Sequence, residues 1–231
     1  MIRGAFEELA VGGERVRQYT SGMANLAPRV VVFHPWWGLN DDVIAFVDRL
    51  AEAGFSVAAP DLVRGRLAST VEEAERLLEG VDQDHADAVA IAAVDRLAPS
   101  AAGPAIGAVG FSFGAAWAMW SAAKRPAVAG SVVYYGTIAG PSLARASVPV
   151  LGHFAEADPY EPAEGVVAFE RALREAGRSV LIHRYPGTGH WFAEPSRDAW
   201  RPEAADLAFE RTVAFLTHVQ SPPQAGGSPA S

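Results

Sequence analysis

Gly110-Phe111-Ser112-Phe113-Gly114 reads G-x-S-x-G, and its neighbours decide the fold. Before it runs the apolar stretch 105–109. After it comes the small-residue stretch 115–124, with helical character. Strand, tight turn and helix in that order is the setting of a nucleophile elbow. The turn leaves no room for side chains two positions either side of the serine, and glycine supplies none. It lifts the serine oxygen out of the backbone at a helix N-terminus, where the dipole favours developing negative charge. The alternative is an ordinary strand-to-helix turn with a serine N-cap.

Outward from the elbow, strand and helix patterns alternate. Residues 6–10 and 15–19 flank Gly12-Gly13 as a hairpin. Residues 29–33 read as a buried strand. Asn40 caps the next helix, with Asp41 and Asp42 in its first turn, apolar positions 43, 46, 47 and 50 on one face, and a stop at Gly54. Residues 55–59 form a strand. Thr70-x-x-Glu73 is a capping box inside the less regular stretch 64–80, which the sequence leaves open as a lid. Helix 84–98 follows. Beyond the elbow come strands 131–135, 148–154 and 179–184, and helices 161–176 and 202–219, the last with Pro202 in its first turn. Such alternation implies an α/β fold: a mainly parallel sheet of about eight strands, covered by helices on both faces. Ligands in such sheets bind beyond the carboxyl ends of the strands.

The 231 residues suit one domain over 1–220, with the Pro, Gly, Ser and Ala-rich 221–231 as a disordered tail. A net charge of −8 gives no basic footprint, which argues against nucleic acid and anionic membrane as partners. No apolar run approaches membrane-span length. The absence of cysteine excludes a thiolate nucleophile, disulfides and thiolate metal sites. Acid at Glu7 and Glu8 interrupts the N-terminus too early for a signal peptide, so a soluble cytoplasmic protein is expected. Neither a metal site nor a cofactor is called for. Monomer and homodimer both stay open.

A serine hydroxyl needs a base, itself oriented by a third group. Elbow enzymes place them in the order Ser, Asp or Glu, His. Asp158, just past the strand 148–154, is the one aspartate between Ser112 and His190, with Glu156 and Glu161 as fallback carboxylates. Of the histidines after Asp158, His183 lies within a strand pattern and His218 in the last helix. His190, in the loop 186–190 read as flexible, combines the right order with the right end of the sheet. A solvated turn aspartate and a structural loop histidine are the plain alternatives.

Acyl transfer also needs an oxyanion hole. Its first donor is expected to be the N–H of Phe113, the residue after the nucleophile. The second comes from the loop His34-Pro35-Trp36-Trp37-Gly38-Leu39-Asn40. Pro35 has no N–H, so Trp36 is the first choice and Trp37 the next. Around these, His34, Trp37, Tyr135, Trp191 and Phe192 are candidate substrate-binding residues that would make an aromatic, largely neutral pocket. Each is equally readable as core, and His34 as a shaper of its loop.

The loop 34–40, Ala59-Pro60-Asp61-Leu62, the elbow, Tyr134-Tyr135-Gly136, Asp158-Pro159 and Gly189-His190-Trp191-Phe192 together resemble the dienelactone hydrolase family of α/β-hydrolases, over about residues 6–219. The resemblance implies an α/β-hydrolase fold and cleavage of esters or lactones without a cofactor. Two departures are mutually consistent. The family's founding members carry a cysteine where this chain has Ser112, and a glutamate that helps activate it where this chain has Pro35. A third concerns substrate. An arginine that holds the carboxylate of dienelactone in the family falls here at Glu194, which would repel an anion. Arg64, Arg66 and Arg76 stand near where a second such arginine would lie. The expectation is a serine hydrolase of small neutral esters or lactones. A thioesterase or peptidase with the same triad, or a non-catalytic small-molecule binder, are the alternatives.

Overall fold

The computed structural model describes residues 3–23, 27–98, 106–138 and 147–221. They form one eight-stranded sheet in the order β1-β2-β4-β3-β5-β6-β7-β8. Strands β1 (Ala5–Val11) and β2 (Glu14–Ser21) make the N-terminal hairpin, and β2 pairs antiparallel with β4 (Ser56–Pro60). From β4 through β3 (Arg29–Phe33), β5 (Ile106–Phe111), β6 (Val128–Tyr134) and β7 (Val150–Ala157) to β8 (Val180–Gly189), every pairing is parallel. The expected tail beyond Ser221 lies outside the described residues.

Alternate residues of the central strands serve two cores. In β3, Val31 and Phe33 join the core beneath α3 (Gln83–Leu97), α4 (Ala115–Lys124) and α5 (Ala163–Glu175). Val30 and Val32 join the opposite core, beneath α1 (Asp41–Glu52) and α6 (Pro202–Gln220). Burial on both faces is why these parallel strands read as unbroken apolar runs. The helix starts follow their caps. Asn40 accepts from Val43 N–H at the head of α1. Thr70 and Glu73 form the reciprocal box that opens α2 (Val71–Glu79). Residues 64–70 are tied down at several points: Asp61 accepts from Val63 and Gly65 N–H, and Ala68 N–H donates to the Trp37 carbonyl.

Boundaries differ from the sequence reading at several elements, including two beside the site. The stretch read as a flexible loop, 186–190, is strand up to Gly189. Strand β8 is the sheet edge, so Pro186, which lacks an N–H, is tolerated there. A register shift between Ala155 and Ala157 lets Gly189 pair opposite Ala157. His190 thus leaves the end of a paired strand rather than hanging from a loop. Helix α5 begins at Ala163, not 161. Pro162 biases the preceding residue away from helix, which leaves Glu161 in the connection after β7.

Candidate active site

The sharp turn after β5 places Ser112 at φ 46°, a left-handed conformation that costs a non-glycine residue about 1–3 kcal/mol. The two elbow glycines explain how it is held. A Cβ at Gly110 would meet the Gly114 carbonyl oxygen and come within 2.6 Å of Ala115 Cα. One at Gly114 would meet the Phe33 carbonyl and lie 2.6 Å from that of His34. The second contact joins the elbow to the end of β3, so the Trp36 loop lies beside the serine. A single 3-10 turn, Ser112–Gly114, then leads into α4.

Two strand ends farther along the sheet supply the partners. Ser112 Oγ lies 3.1 Å from His190 Nε2. His190 Nδ1 lies 2.7 Å from Asp158 Oδ2, and both side chains are buried. A carboxylate only accepts, so Nδ1 carries the proton and Nε2 presents its lone pair to the serine hydroxyl. The other oxygen, Asp158 Oδ1, accepts from the N–H groups of Tyr160 at 2.9 Å and Glu161 at 3.0 Å. Burial by itself would raise the Asp158 pKa. The His190 hydrogen bond and charge, with the two N–H groups, outweigh it and hold the carboxyl below its ordinary range. The arrangement can take a proton from a serine oxygen and stabilise the resulting imidazolium.

The fallback carboxylates are otherwise engaged. Glu156 accepts from Gly187 N–H. Glu161 accepts from Thr137 N–H and Oγ1, which ties the loop after β6 to the loop after β7.

The aromatic residues sort differently from the expectation. His34 is fully buried. Its Nδ1–H donates to the Pro35 carbonyl at 2.7 Å and its Nε2 accepts from Leu62 N–H at 3.0 Å. With both nitrogens used by backbone, it shapes its loop and is corrected as a substrate-binding residue. Tyr135 and Phe192 are corrected in the same way, being fully buried, whereas Trp37 is largely buried but still lines a surface cavity with Trp191 and Arg197. The carboxyl end of a buried sheet needs large side chains to close the core, and these three do so. Trp191 is half-buried, and Trp36 retains 8% exposure.

Tyr160 escaped the sequence reading. Its ring lies 4.9 Å from that of His190, 5.5 Å from Trp36 and 5.4 Å from Trp191, and it is 45% exposed. Its place two residues after Asp158 was the available signal, since an aspartate commonly accepts the N–H two residues on.

Glu194 does not act as a surface charge. It is 2% exposed, accepts from the Tyr135 hydroxyl at 2.8 Å, and burial pushes its pKa up to about 8. Buried and bonded to Tyr135, it presents no exposed charge to a substrate, unlike the surface-facing glutamate expected from the sequence. Arg64 pairs with Glu14 of the N-terminal hairpin and Asp82 at the head of α3, and Arg66 donates to the carbonyls of Val63 and Gly80, so both guanidinium groups are engaged there. His153 is buried between Tyr185 and Thr212, and His85 lies 3.6 Å from Glu14. Among the described residues no group of three or more His, Cys, Asp or Glu could hold a metal ion, and no helix is long and apolar enough to cross a membrane.

A parallel sheet with its crossing helices, and an elbow serine at a strand end facing a histidine and an aspartate, define an α/β-hydrolase. The chain belongs to the dienelactone hydrolase family, whose model matches residues 16–220. Protein usf of Aquifex pyrophilus is 30% identical over 225 residues, spanning 92% of this chain and 97% of that one. A Bradyrhizobium protein named "Probable 2-oxo-3-(5-oxofuran-2-ylidene)propanoate lactonase" is 30% identical over 206 residues, with 82% of this chain and 83% of that one covered. The crystal structure of P91, a dienelactone hydrolase-like promiscuous phosphotriesterase from metagenomic libraries, superposes with a TM-score of 0.82 at 21% identity, covering 95% of this chain and 99% of that one. The family and these relatives make the chain a hydrolase of ester or lactone bonds.

Proposed function

We propose that this protein is a serine hydrolase that cleaves carboxylic esters or lactones of small, neutral substrates through an acyl-enzyme. Ser112 attacks the carbonyl while His190 takes its proton. Asp158 holds the imidazole in the required tautomer and balances its charge. The N–H groups of Phe113 and Trp36 receive the oxyanion. His190 then protonates the leaving alcohol and activates the water that releases the acid. The observation that carries this reading is the continuous chain from Ser112 Oγ to His190 to Asp158, at 3.1 and 2.7 Å.

Neutral substrates are favoured because the aromatic cluster of Trp36, Tyr160 and Trp191 beside His190 brings no charge to the site, and Arg64 and Arg66 are paired elsewhere. No step calls for a metal or cofactor, and the protein acts in the cytoplasm as a monomer or homodimer on a small molecule.

Hydrolysis of p-nitrophenyl esters of rising acyl length tests the reading, with a fluorophosphonate as a covalent probe. Wild type is expected to turn over short esters and to be labelled at Ser112. Ser112→Ala is expected to lose labelling and at least about a thousandfold in kcat. Equal activity in both proteins, or an unreactive Ser112, would overturn the mechanism.

A further inference from the structure

We infer that Glu194, acting through Tyr135, is a positioning residue for His190; the inference rests on the serine-hydrolase reading of the site. Asp158 and Ser112 hold the imidazole at its two nitrogens, but bonds at two points leave the ring free to turn about the line between them. The Tyr135 ring packs against the imidazole with centroids 4.9 Å apart, as does the Tyr160 ring at the same separation. Tyr135 is itself held in an unusual pose. Its φ is 37°, in the left-handed region, and its N–H donates to the His153 carbonyl at 2.7 Å. At the far end of the ring, its hydroxyl donates to Glu194 Oε1 at 2.8 Å.

Glu194 is an expensive way to accept that bond. It lies fully inside the protein, and apart from Tyr135 the side chain that bonds to it is Trp37, a contact too poorly aligned to satisfy Oε2 fully. Core packing does not call for a carboxyl there, and a buried ionisable group next to a reactive centre often has a functional reason. The segment that carries it also carries His190. Trp191 takes φ 57°, Glu194 N–H donates to the Trp191 carbonyl, and Arg197 N–H donates to the Glu194 carbonyl. The bond from Tyr135 to Glu194 therefore ties the end of β6 to the segment that follows the histidine.

The strut is sensitive to pH. Burial is the main influence that raises the Glu194 pKa to about 8, opposed by the Tyr135 hydrogen bond. Asp42 at the head of α1 raises it further, while Arg197 and Trp37 lower it. In mild base the carboxyl ionises inside the protein, where the Tyr135 hydroxyl, Trp37 and the Arg197 charge offset part of the cost of its burial. That buried charge is relieved by admitting water and loosening the segment, so activity falls above about pH 8.

The test uses the full chain with Tyr135→Phe, Glu194→Ala and Glu194→Gln. It measures kcat and KM against pH, fluorophosphonate labelling of Ser112, and the titration of the His190 C2–H proton by NMR. Tyr135→Phe and Glu194→Ala are expected to lower kcat roughly tenfold or more with little change in KM. Glu194→Gln, which still accepts from the hydroxyl, is expected to recover most of that loss and to abolish the alkaline fall. The His190 resonance should show a second inflection near pH 8 in wild type that Glu194→Gln lacks. Unchanged kcat together with an unchanged His190 resonance in folded Tyr135→Phe would overturn the inference. If Glu194→Ala does not fold, the other two variants decide. An unlabelled wild-type Ser112 would instead overturn the hydrolase reading, and the strut is then judged on the His190 resonance alone.

Discussion

Tyr160 lays its ring 4.9 Å from the imidazole of His190, while its backbone N–H donates to the Asp158 carboxylate that orients that imidazole. One residue thus contributes to the buried Asp158–His190 pair with its main chain and to the open side of the site with its side chain. A leaving group protonated by His190 would depart past this ring. Tyr160→Ala is expected to lower kcat/KM for phenyl esters by about two- to tenfold relative to ethyl esters, the worth of one aromatic contact. Tyr160→Phe should preserve the ratio. Equal losses on both ester series would remove Tyr160 from substrate selection.

Asp158→Asn keeps the shape but can present an amide N–H to His190 Nδ1, which favours the wrong tautomer. A kcat loss on the order of a thousand- to ten-thousandfold is expected, with KM little changed. Pre-steady-state kinetics should place the loss in acylation.

Glu194 imposes a pH dependence on stability as well as on activity. Its folded pKa of about 8 lies above the ordinary value of 4.5, so the folded state holds the proton longer than the unfolded chain. The group's stabilising influence is full at low pH and declines as pH rises between these values, levelling above the upper one. Glu194→Gln should therefore gain thermal stability over wild type progressively from about pH 5 to pH 8, reaching roughly a few kcal/mol. A difference in Tm that does not vary with pH would show that the carboxyl is not held neutral.

Gly114→Ala tests the elbow. The added Cβ would meet the Phe33 carbonyl and crowd that of His34 at 2.6 Å, backbone atoms that cannot swing aside. A stability loss of about 1–3 kcal/mol is expected from the overpacking. Ser112 labelling should fall by more than the folded fraction, because the loop that carries Trp36 is pushed from the serine.

His34→Ala separates a shaping role from a binding role. It removes the acceptor of the Leu62 N–H and the donor to the Pro35 carbonyl. Leaving buried backbone groups unpaired costs about 1–3 kcal/mol, to be read by denaturant unfolding. The KM for small esters should stay near that of wild type, and a large rise in KM with unchanged stability would restore His34 as a substrate contact.

Much of the fold was legible because its signals are local. The glycines of the elbow, the Asn40 cap, the Thr70–Glu73 box and the two-sided apolar strands each act within a few residues, and each stands where the sequence placed it. The alignment of β8 was not legible. Pro186 and Gly187 read as loop, and they fall in an irregularity of β8 between the pairs Ala155–Tyr185 and Ala157–Gly189, at a sheet edge whose outer side needs no partner. The start of α5 missed by two residues, since Pro162 acts against helix at Glu161.

Sequence by itself determined the chemical set: no thiol, one serine in an elbow, and an aspartate and a histidine in the order that an α/β-hydrolase sheet brings to one end. Such order survives because parallel strands deliver their following loops to the same edge whatever the helices between them contain. Tertiary structure alone decided the roles of the aromatic and ionisable residues around that set. His34 and Tyr135 turned inward, Tyr160 stayed open, and Glu194 was buried and held neutral. These outcomes depend on which surfaces pack against one another across distant parts of the chain, and the free energy of burying a ring or a charge is a property of that packing rather than of the residue.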